Sequence, residues 1–127
     1  MMYLLDSNIL INFLNGNKKE VNWIKNEKSK DSSLGFSLIS RIEVLSLPKL
    51  KEEEIFQMEQ FLSLLKQTYM GDDVVVLASA LRRNLNLTLG DAIITATAIS
   101  YKAIFVTNDK LLASKVKNLV EVISLNN

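Results

Sequence analysis

The stretch that decides the fold is MMYLLDSNILINFL, residues 1–14. Its apolar run from Met2 to Leu5 stops at Asp6, and Ser7 and Asn8 then open a second apolar pattern. A strand, a carboxylate and a helix are the simplest interpretation. Open parallel sheets bind their ligands beyond the carboxyl ends of the strands, which is where Asp6 would lie. The stretch therefore predicts an α/β fold with a site at the end of its first strand.

Length and charge set the limits for the rest of the chain. At 127 residues, the chain is expected to form a single domain over residues 1–127. Fifteen basic and fourteen acidic side chains leave a net charge of +1, so the sequence carries no global positive field. Any nucleic-acid binding must therefore be local.

Cysteine and histidine are both absent, which excludes several kinds of chemistry. Disulfides, a thiolate nucleophile, a serine–histidine triad and an ordinary zinc site cannot be built. Divalent metals that prefer oxygen ligands remain possible. No secretory signal is recognisable, and no apolar run approaches the roughly 20 residues of a membrane span. We expect a cytoplasmic, bacterial protein that does not enter a membrane.

Predicted strands and helices alternate along the chain. The strands fall at residues 2–5, 34–38, 67–70, 104–107 and 120–124; the helices fall at residues 7–14, 18–30, 40–47, 51–66, 74–85, 92–103 and 110–116. This alternation predicts a three-layer α/β sandwich, with a mainly parallel central sheet of about five strands flanked by helices. Asp72 or Asp73 is the expected N-cap of the fifth helix.

Two hydroxyl-to-carboxylate spacings match the capping box that begins many helices. Ser40 with Glu43, and Thr88 with Asp91, are each three residues apart. They predict that Glu43 and Asp91 lie in the first turns of their helices. The helix that follows Asp91 is apolar almost all round, which predicts that it is buried.

Four acids therefore fall near strand ends or helix starts: Asp6, Glu43, Asp91 and Asp109. Each alone is explained by helix capping and the helix dipole, worth about 0.3–1 kcal/mol. If the four converge, close carboxylates would repel by roughly 4 kcal/mol per pair, and a bound cation would compensate. Oxygen ligands without histidine select Mg²⁺ or Mn²⁺. The residues alone leave both interpretations open.

Four segments in this order, LLDSNILI, SRIEVLS, TLGDAIITATAI and VTNDK, resemble the PIN domain family, and specifically its small single-domain toxins of the VapC type. The resemblance implies a PIN-like sandwich whose four matching acids bind one or two Mg²⁺ or Mn²⁺ ions and support catalysis. Further residues are then expected to line the same pocket: Ser7, Asn8, Ser40, Thr107 and Asn108. Ser7 stands where threonine is commoner in the family, and it keeps the hydroxyl.

The function that the resemblance implies is a Mg²⁺- or Mn²⁺-dependent endoribonuclease, the toxin of a toxin–antitoxin pair with a small antitoxin partner. Arg41 and Lys110 lie beside two of the acids and are candidate contacts to substrate phosphates, although solvated surface charge explains them as well. One alternative is a PIN-domain RNA-processing nuclease without an antitoxin. Another is a receiver-like Mg²⁺-binding signalling domain, whose paired acids after the first strand are not evident here.

The composition also predicts self-association. Hydrophobic residues make up 48% of the chain and charged residues only 23%, which is more apolar surface than one core of this size hides. We expect a homodimer, as the resemblance also implies. The helix at residues 51–66, with Ile55, Phe56, Met58 and Phe61, and the helices near the N-terminus are the expected interface elements.

Overall fold

The computed structural model describes residues 1–126, and residue 127 lies outside that range. Its strands are β1 (Met2–Leu5), β2 (Ser33–Ser37), β3 (Lys66–Thr68), β4 (Ile104–Val106) and β5 (Val122–Ile123). Its helices are α1 (Ser7–Leu14), α2 (Lys18–Ser29), α3 (Leu38–Leu45), α4 (Glu52–Leu62), α5 (Asp72–Leu85), α6 (Leu89–Ser100) and α7 (Lys110–Val116). The predicted α/β alternation is confirmed.

The five strands form one sheet in the order β3-β2-β1-β4-β5, and all of its pairs are parallel. β1 is therefore central, with Leu4 opposite Gly35 of β2 and Leu5 opposite Val106 of β4. The chain crosses to β2 and β3 on one side, then returns to β4 and β5 on the other. Such a reversal of strand order is where open α/β sheets bind ligands.

Helices cover both faces of the sheet. Adjacent β1 residues point to opposite faces, so Leu4 belongs to one core cluster and Leu5 to the other. Leu4 and Phe105 pack in the cluster that contains the buried residues of α5, α6 and α7. Leu5 packs in the cluster formed with α1, α2 and α4. The three predicted layers are confirmed, as is the burial of α6.

The capping prediction at Ser40 is wrong. α3 begins at Leu38, because Ser37, the last residue of β2, has extended backbone and accepts a hydrogen bond from Ile39 N at 3.2 Å as the N-cap. Ser40 consequently lies inside the helix, and Glu43 lies in the second turn rather than the first. The matching prediction at Thr88 is confirmed, since Thr88 Oγ1 accepts from Asp91 N at 3.2 Å.

Several predicted bounds differ from those observed. Gly71 precedes α5, and Asp72 and Asp73 lie in its first turn, so neither is the N-cap. α4 ends at Leu62 because β3 already begins at Lys66, which shortens the helix expected over residues 51–66. Within residues 1–126, no helix is long and apolar enough to cross a membrane.

Candidate active site

Asp6 stands directly after the central strand and begins α1. Its backbone N–H donates to Val106 O at 2.9 Å, which continues the ladder between β1 and β4. Its Oδ1 accepts from Ser7 N at 2.8 Å, as an N-cap does. Its Oδ2 accepts from Thr107 Oγ1 at 2.6 Å and from Asn8 Nδ2 at 3.2 Å. The carboxylate is therefore fixed at both oxygens, on a residue that is only 6% exposed.

Burial raises the pKa of the Asp6 carboxyl from its usual 3.8 to about 6. The hydrogen bonds from Thr107 and Ser7 oppose this shift in pKa, since they favour the charged form. The negative charges of Asp91 and Glu43 add to the rise in pKa. Asp6 is thus under the electrostatic influence of two acids that are distant in sequence.

Glu43 reaches this place from α3 and is exposed. Ser7 Oγ donates to Glu43 Oε1 at 2.6 Å, which links the start of α1 to α3. On the other side, the backbone of Gly90 in α6 comes so close that a Cβ there would lie 3.0 Å from Glu43 Oε2. The Glu43 carboxylate is therefore held between the N-terminal turns of α1 and α6.

Asp91 is half-buried at the start of α6. Burial raises the pKa of its carboxyl, and the charges of Asp109 and Glu43 add to that rise, whereas Thr88 and Lys115 lower it. Asp91 thus interacts with three of the other charged groups around the end of the sheet. It connects Asp109 electrostatically with the other two acids.

Asp109 follows β4 and begins α7. Its Oδ1 accepts from Leu112 N at 3.0 Å, and its backbone N–H donates to Thr107 Oγ1 at 3.1 Å. Together with Asp91 and Lys115 it lines a cavity of about 120 Å³. The hydroxyl of Thr107 contacts both Asp6 and the backbone of Asp109, and therefore joins the two sides of the site.

The structure thus brings the four sequence-predicted acids to one edge of the sheet. Asp6 and Asp109 also act as helix N-caps, because their side chains accept hydrogen bonds from backbone N–H groups in the first turns of α1 and α7. Within residues 1–126 none of the four acids forms a salt bridge. In the same range, no group of three acidic side chains is placed ready to hold one ion. The ligand atoms that the four carboxylates offer a metal ion are all oxygens, the atoms that Mg²⁺ and Mn²⁺ prefer.

Some of the residues predicted to line the pocket form hydrogen bonds to the four acids, and others do not. Asn8 and Thr107 bind Asp6 directly, and Ser7 binds Glu43. Asn108 donates its backbone N–H to Asn8 Oδ1 at 3.2 Å, one residue from Asp109. Ser40 is fully buried, and its hydroxyl finds no hydrogen-bond partner in the part of the chain that the structure describes. Within residues 1–126, Ser40 and Asn108 therefore form no hydrogen bond to any of the four acids.

The two candidate phosphate contacts also differ. The Arg41 guanidinium donates to Glu59 Oε1 at 2.9 Å and to Gln67 Oε1 at 3.1 Å, which ties α3 to α4 and β3. The positive charge of Arg41 is therefore already paired with the Glu59 carboxylate. Lys110 is exposed in the first turn of α7. Lys115, one turn later and next to Asp91 and Asp109, was not singled out from the sequence.

A second residue that the sequence did not single out is Glu20, in the first turn of α2. It is only 3% exposed and accepts hydrogen bonds from the side chains of Asn108 and Asn12. The available signal was its spacing, since Glu20, Ile24 and Glu27 lie four and three residues apart and all three are buried. An acid on the buried face of a helix needs a partner, and here the partner is beside Asp109.

Comparison with known proteins addresses the family and the fold of the chain. The model of the PIN domain family matches residues 3–118 of the chain. No curated protein matches the chain in sequence. The chain is similar in structure to VapBC2 from Rickettsia felis bound to a DNA fragment from its promoter, with a TM-score of 0.82, 23% identity and 98% of each chain covered.

Two further solved structures share the fold. The toxin–antitoxin complex from Klebsiella pneumoniae matches with a TM-score of 0.80 and 25% identity, over 98% of each chain. VapBC-1 from nontypeable Haemophilus influenzae matches with a TM-score of 0.79 and 19% identity, over all of each chain. The resemblance found in the four sequence segments therefore extends to the whole fold.

Proposed function

Because the chain belongs to the PIN domain family, we propose that it is a Mg²⁺- or Mn²⁺-dependent endoribonuclease, and the toxin of a toxin–antitoxin pair. One observation carries this proposal above the others. Asp6, Glu43, Asp91 and Asp109 act on one another electrostatically at the end of a parallel sheet, and none has an ion-pair partner within residues 1–126. Such a group of carboxylates is favoured when a divalent cation joins it.

The four acids would hold the ion, and their neighbours would orient them. When bound, the ion supplies Lewis-acid charge for hydrolysis of a phosphodiester. Thr107 and Asn8 fix the position of the Asp6 carboxylate, because both donate to its Oδ2, and the bond from Thr107 favours the ionised form. Ser7 fixes Glu43 in the same way. These hydrogen bonds hold the ligands before substrate arrives, which reduces the reorganisation that the reaction requires.

Substrate attraction depends on local charge, since the whole chain carries only +1. Lys115 lines the cavity with Asp91 and Asp109, and Lys110 lies a turn before it on the same helix. Arg41 is left out of this role because its guanidinium is bonded to Glu59. We therefore assign contact with substrate phosphates to α7.

The test is cleavage of a single-stranded or structured RNA by the purified protein. Cleavage should require Mg²⁺ or Mn²⁺ and stop in EDTA. Asp6→Asn and Asp91→Asn should each lose activity by orders of magnitude, because each removes a ligand charge. The matched control is Asp72→Asn, an exposed acid in the first turn of α5, which should retain full activity. Full activity in Asp6→Asn would overturn the shared site.

The toxin role is supported by the fold shared with chains from toxin–antitoxin complexes. Expression of the protein alone should arrest bacterial growth, and co-expression of a small antitoxin encoded next to it should restore growth. An inhibitor of this kind can present an arginine to the carboxylates, since bidentate arginine–carboxylate pairs are strong in a partly dry pocket. Arrest that persists in Asp6→Asn would mean toxicity without catalysis.

Two other functions make different predictions. An RNA-processing PIN nuclease would cleave RNA with the same metal dependence but would not arrest growth, and no antitoxin would be encoded beside it. A receiver-like domain would be labelled by an acyl-phosphate donor, whereas this protein should remain unmodified. The family match favours the nuclease over the receiver.

A further inference from the structure

Glu20 is a buried carboxylate that the proposed chemistry does not use. It lies in the first turn of α2, is only 3% exposed, and forms no salt bridge with any residue in the range 1–126. A buried charge without a cation is costly unless hydrogen bonds and helix dipoles stabilise it. Two side-chain amides donate to its Oε2: Asn108 Nδ2 at 2.8 Å and Asn12 Nδ2 at 3.3 Å.

The amide of Asn108 can take only one orientation in this network. Its Oδ1 accepts from Leu125 N at 2.9 Å, and that contact requires an oxygen. The NH₂ group must then face Glu20, where it requires an acceptor. The backbone N–H of Asn108 donates to Asn8 Oδ1 at 3.2 Å. Glu20 therefore completes a set of contacts that fixes Asn108 at both its side chain and its backbone.

Asn108 connects these contacts to two of the proposed metal ligands. Asn8, which accepts from the Asn108 backbone, donates to Asp6 Oδ2 at 3.2 Å and to Thr107 Oγ1 at 3.3 Å. Thr107 and Asp109 are the chain neighbours of Asn108, and Asp109 N donates to Thr107 Oγ1 at 3.1 Å. A displacement of Asn108 would therefore move the turn that carries Asp109 and loosen the amide that binds Asp6.

We propose that Glu20 is a positioning residue of the active site, which acts through Asn108 to hold Asp109 and Asp6 in register for a divalent cation. The inference rests on the proposed metal-dependent activity. Residues behind metal ligands commonly change metal affinity or activity by about 10- to 100-fold. A purely structural Glu20 would instead fasten α2 to the end of β4 and affect stability alone.

The experiment compares Glu20→Ala with Glu27→Ala. Glu27 is the matched control because it is also buried on α2, while its contacts are with Ser32 and Lys30 at the other end of the helix. The first readout is the rise in Tm with increasing Mn²⁺, which needs no activity. The second is kcat and KM for RNA cleavage.

Glu20→Ala should need about ten times more Mn²⁺ for the same rise in Tm, and should lose kcat about 10- to 100-fold with little change in KM. Glu27→Ala should have a lower Tm without metal but the Mn²⁺ response and kcat of the wild type. Glu20→Gln should retain most of the Mn²⁺ response and most of the kcat of the wild type. The two hydrogen bonds from Asn108 and Asn12 both go to Oε2, and an amide oxygen can accept them in its place.

A double-mutant cycle isolates the link through Asn108. Asn108→Ala should match the loss in Glu20→Ala, and the double variant should lose no more than Asn108→Ala alone. Additive losses would overturn the inference, as would equal behaviour of Glu20→Ala and Glu27→Ala. If Glu20→Ala does not fold, Glu20→Gln and Asn108→Ala decide the question.

The same measurements distinguish failure of the proposed function from failure of the inference about Glu20. A wild-type protein that binds Mn²⁺ but does not cleave RNA would contradict the nuclease, and the Tm titration would still decide the role of Glu20. A wild-type protein whose Tm does not respond to Mn²⁺ or Mg²⁺ would overturn both.

Discussion

Ser7 Oγ donates a 2.6 Å hydrogen bond to Glu43 Oε1, across 36 positions of sequence. The bond joins the first turn of α1 to the second turn of α3. It links Ser7, the residue that follows Asp6, directly to the Glu43 carboxylate. Ser7→Ala should therefore free the Glu43 carboxylate and reduce kcat by about tenfold, while the fold is kept.

Ser7→Thr is the control for that prediction, since it retains the hydroxyl and should retain activity. Steady-state cleavage kinetics of both variants provide the measurement. Wild-type kcat in Ser7→Ala would show that Glu43 does not depend on this hydrogen bond.

Gly90 offers a test in which activity and stability should separate. An added Cβ would lie 3.0 Å from Glu43 Oε2, so Gly90→Ala must push that carboxylate aside by a few tenths of an ångström. The same change replaces a glycine within a helix, which favours folding by up to about 1 kcal/mol. We expect a Tm equal to or above that of the wild type and a clear loss of kcat. A loss of Tm with unchanged kcat would contradict the expected geometry.

The raised pKa of Asp6 predicts a pH dependence of stability in metal-free protein. Because its pKa is about 6 in the folded state and 3.8 ordinarily, the folded state keeps a proton that the unfolded state releases between these values. For this group, stability is highest below pH 4, falls as the pH rises to 6, and then levels off. In EDTA, Asp6→Asn should remove that fall.

The measurement is urea unfolding of both proteins between pH 4 and 7. The stability of Asp6→Asn relative to the wild type should rise over this range, by up to about 3 kcal/mol. A relative stability that falls instead would show that the ionised carboxylate stabilises the fold.

Lys115 should contribute to RNA binding more than Arg41 does. Lys115→Ala removes a positive charge beside Asp91 and Asp109, so KM for RNA should rise severalfold and its salt dependence should weaken. Arg41→Ala breaks the contacts with Glu59 and Gln67 and should lower Tm, with KM nearly unchanged. Steady-state RNA cleavage at two salt concentrations, with thermal melts of both variants, separates the effects. Equal KM changes in the two variants would contradict the assignment.

The structure shows which apolar side chains stay exposed and are therefore candidates for the interface of the expected homodimer. On α4, Met58 is buried and Phe61 stacks on Phe13 with ring centroids 4.1 Å apart, which leaves Phe56 exposed. On α5, Val76 is 69% exposed. Light scattering should give twice the monomer mass of 14.3 kDa.

Phe56→Asp or Val76→Asp should convert the dimer to monomers if the substituted residue lies in the interface, since it would bury an unpaired charge. A wild-type monomer at micromolar concentration would rule the dimer out. A dimer that survives only Phe56→Asp would place the interface on α5 rather than on the helix expected from the sequence.

The sequence by itself determined the alternation of strands and helices, because apolar periodicity is a local property of each segment. It also predicted Asp6, Glu43, Asp91 and Asp109 as one group of candidate ligands, since each lies near the end of a predicted strand or the start of a predicted helix. It mistook Ser40 for a helix cap because Ser37 and Ser40 offer the same hydroxyl, and only the end of β2 decides between them.

Tertiary structure alone decided which side chains meet. The sheet order β3-β2-β1-β4-β5 sets β4 beside β1, and that pairing brings Thr107 to Asp6 and Asn108 to Asn8. Glu20 reaches Asn108 across 88 positions of sequence, and Lys115 comes near Asp91 because α6 and α7 contribute to the same core cluster. No local pattern encodes such contacts, because they depend on how strands are ordered and how helices pack, which the whole chain determines together.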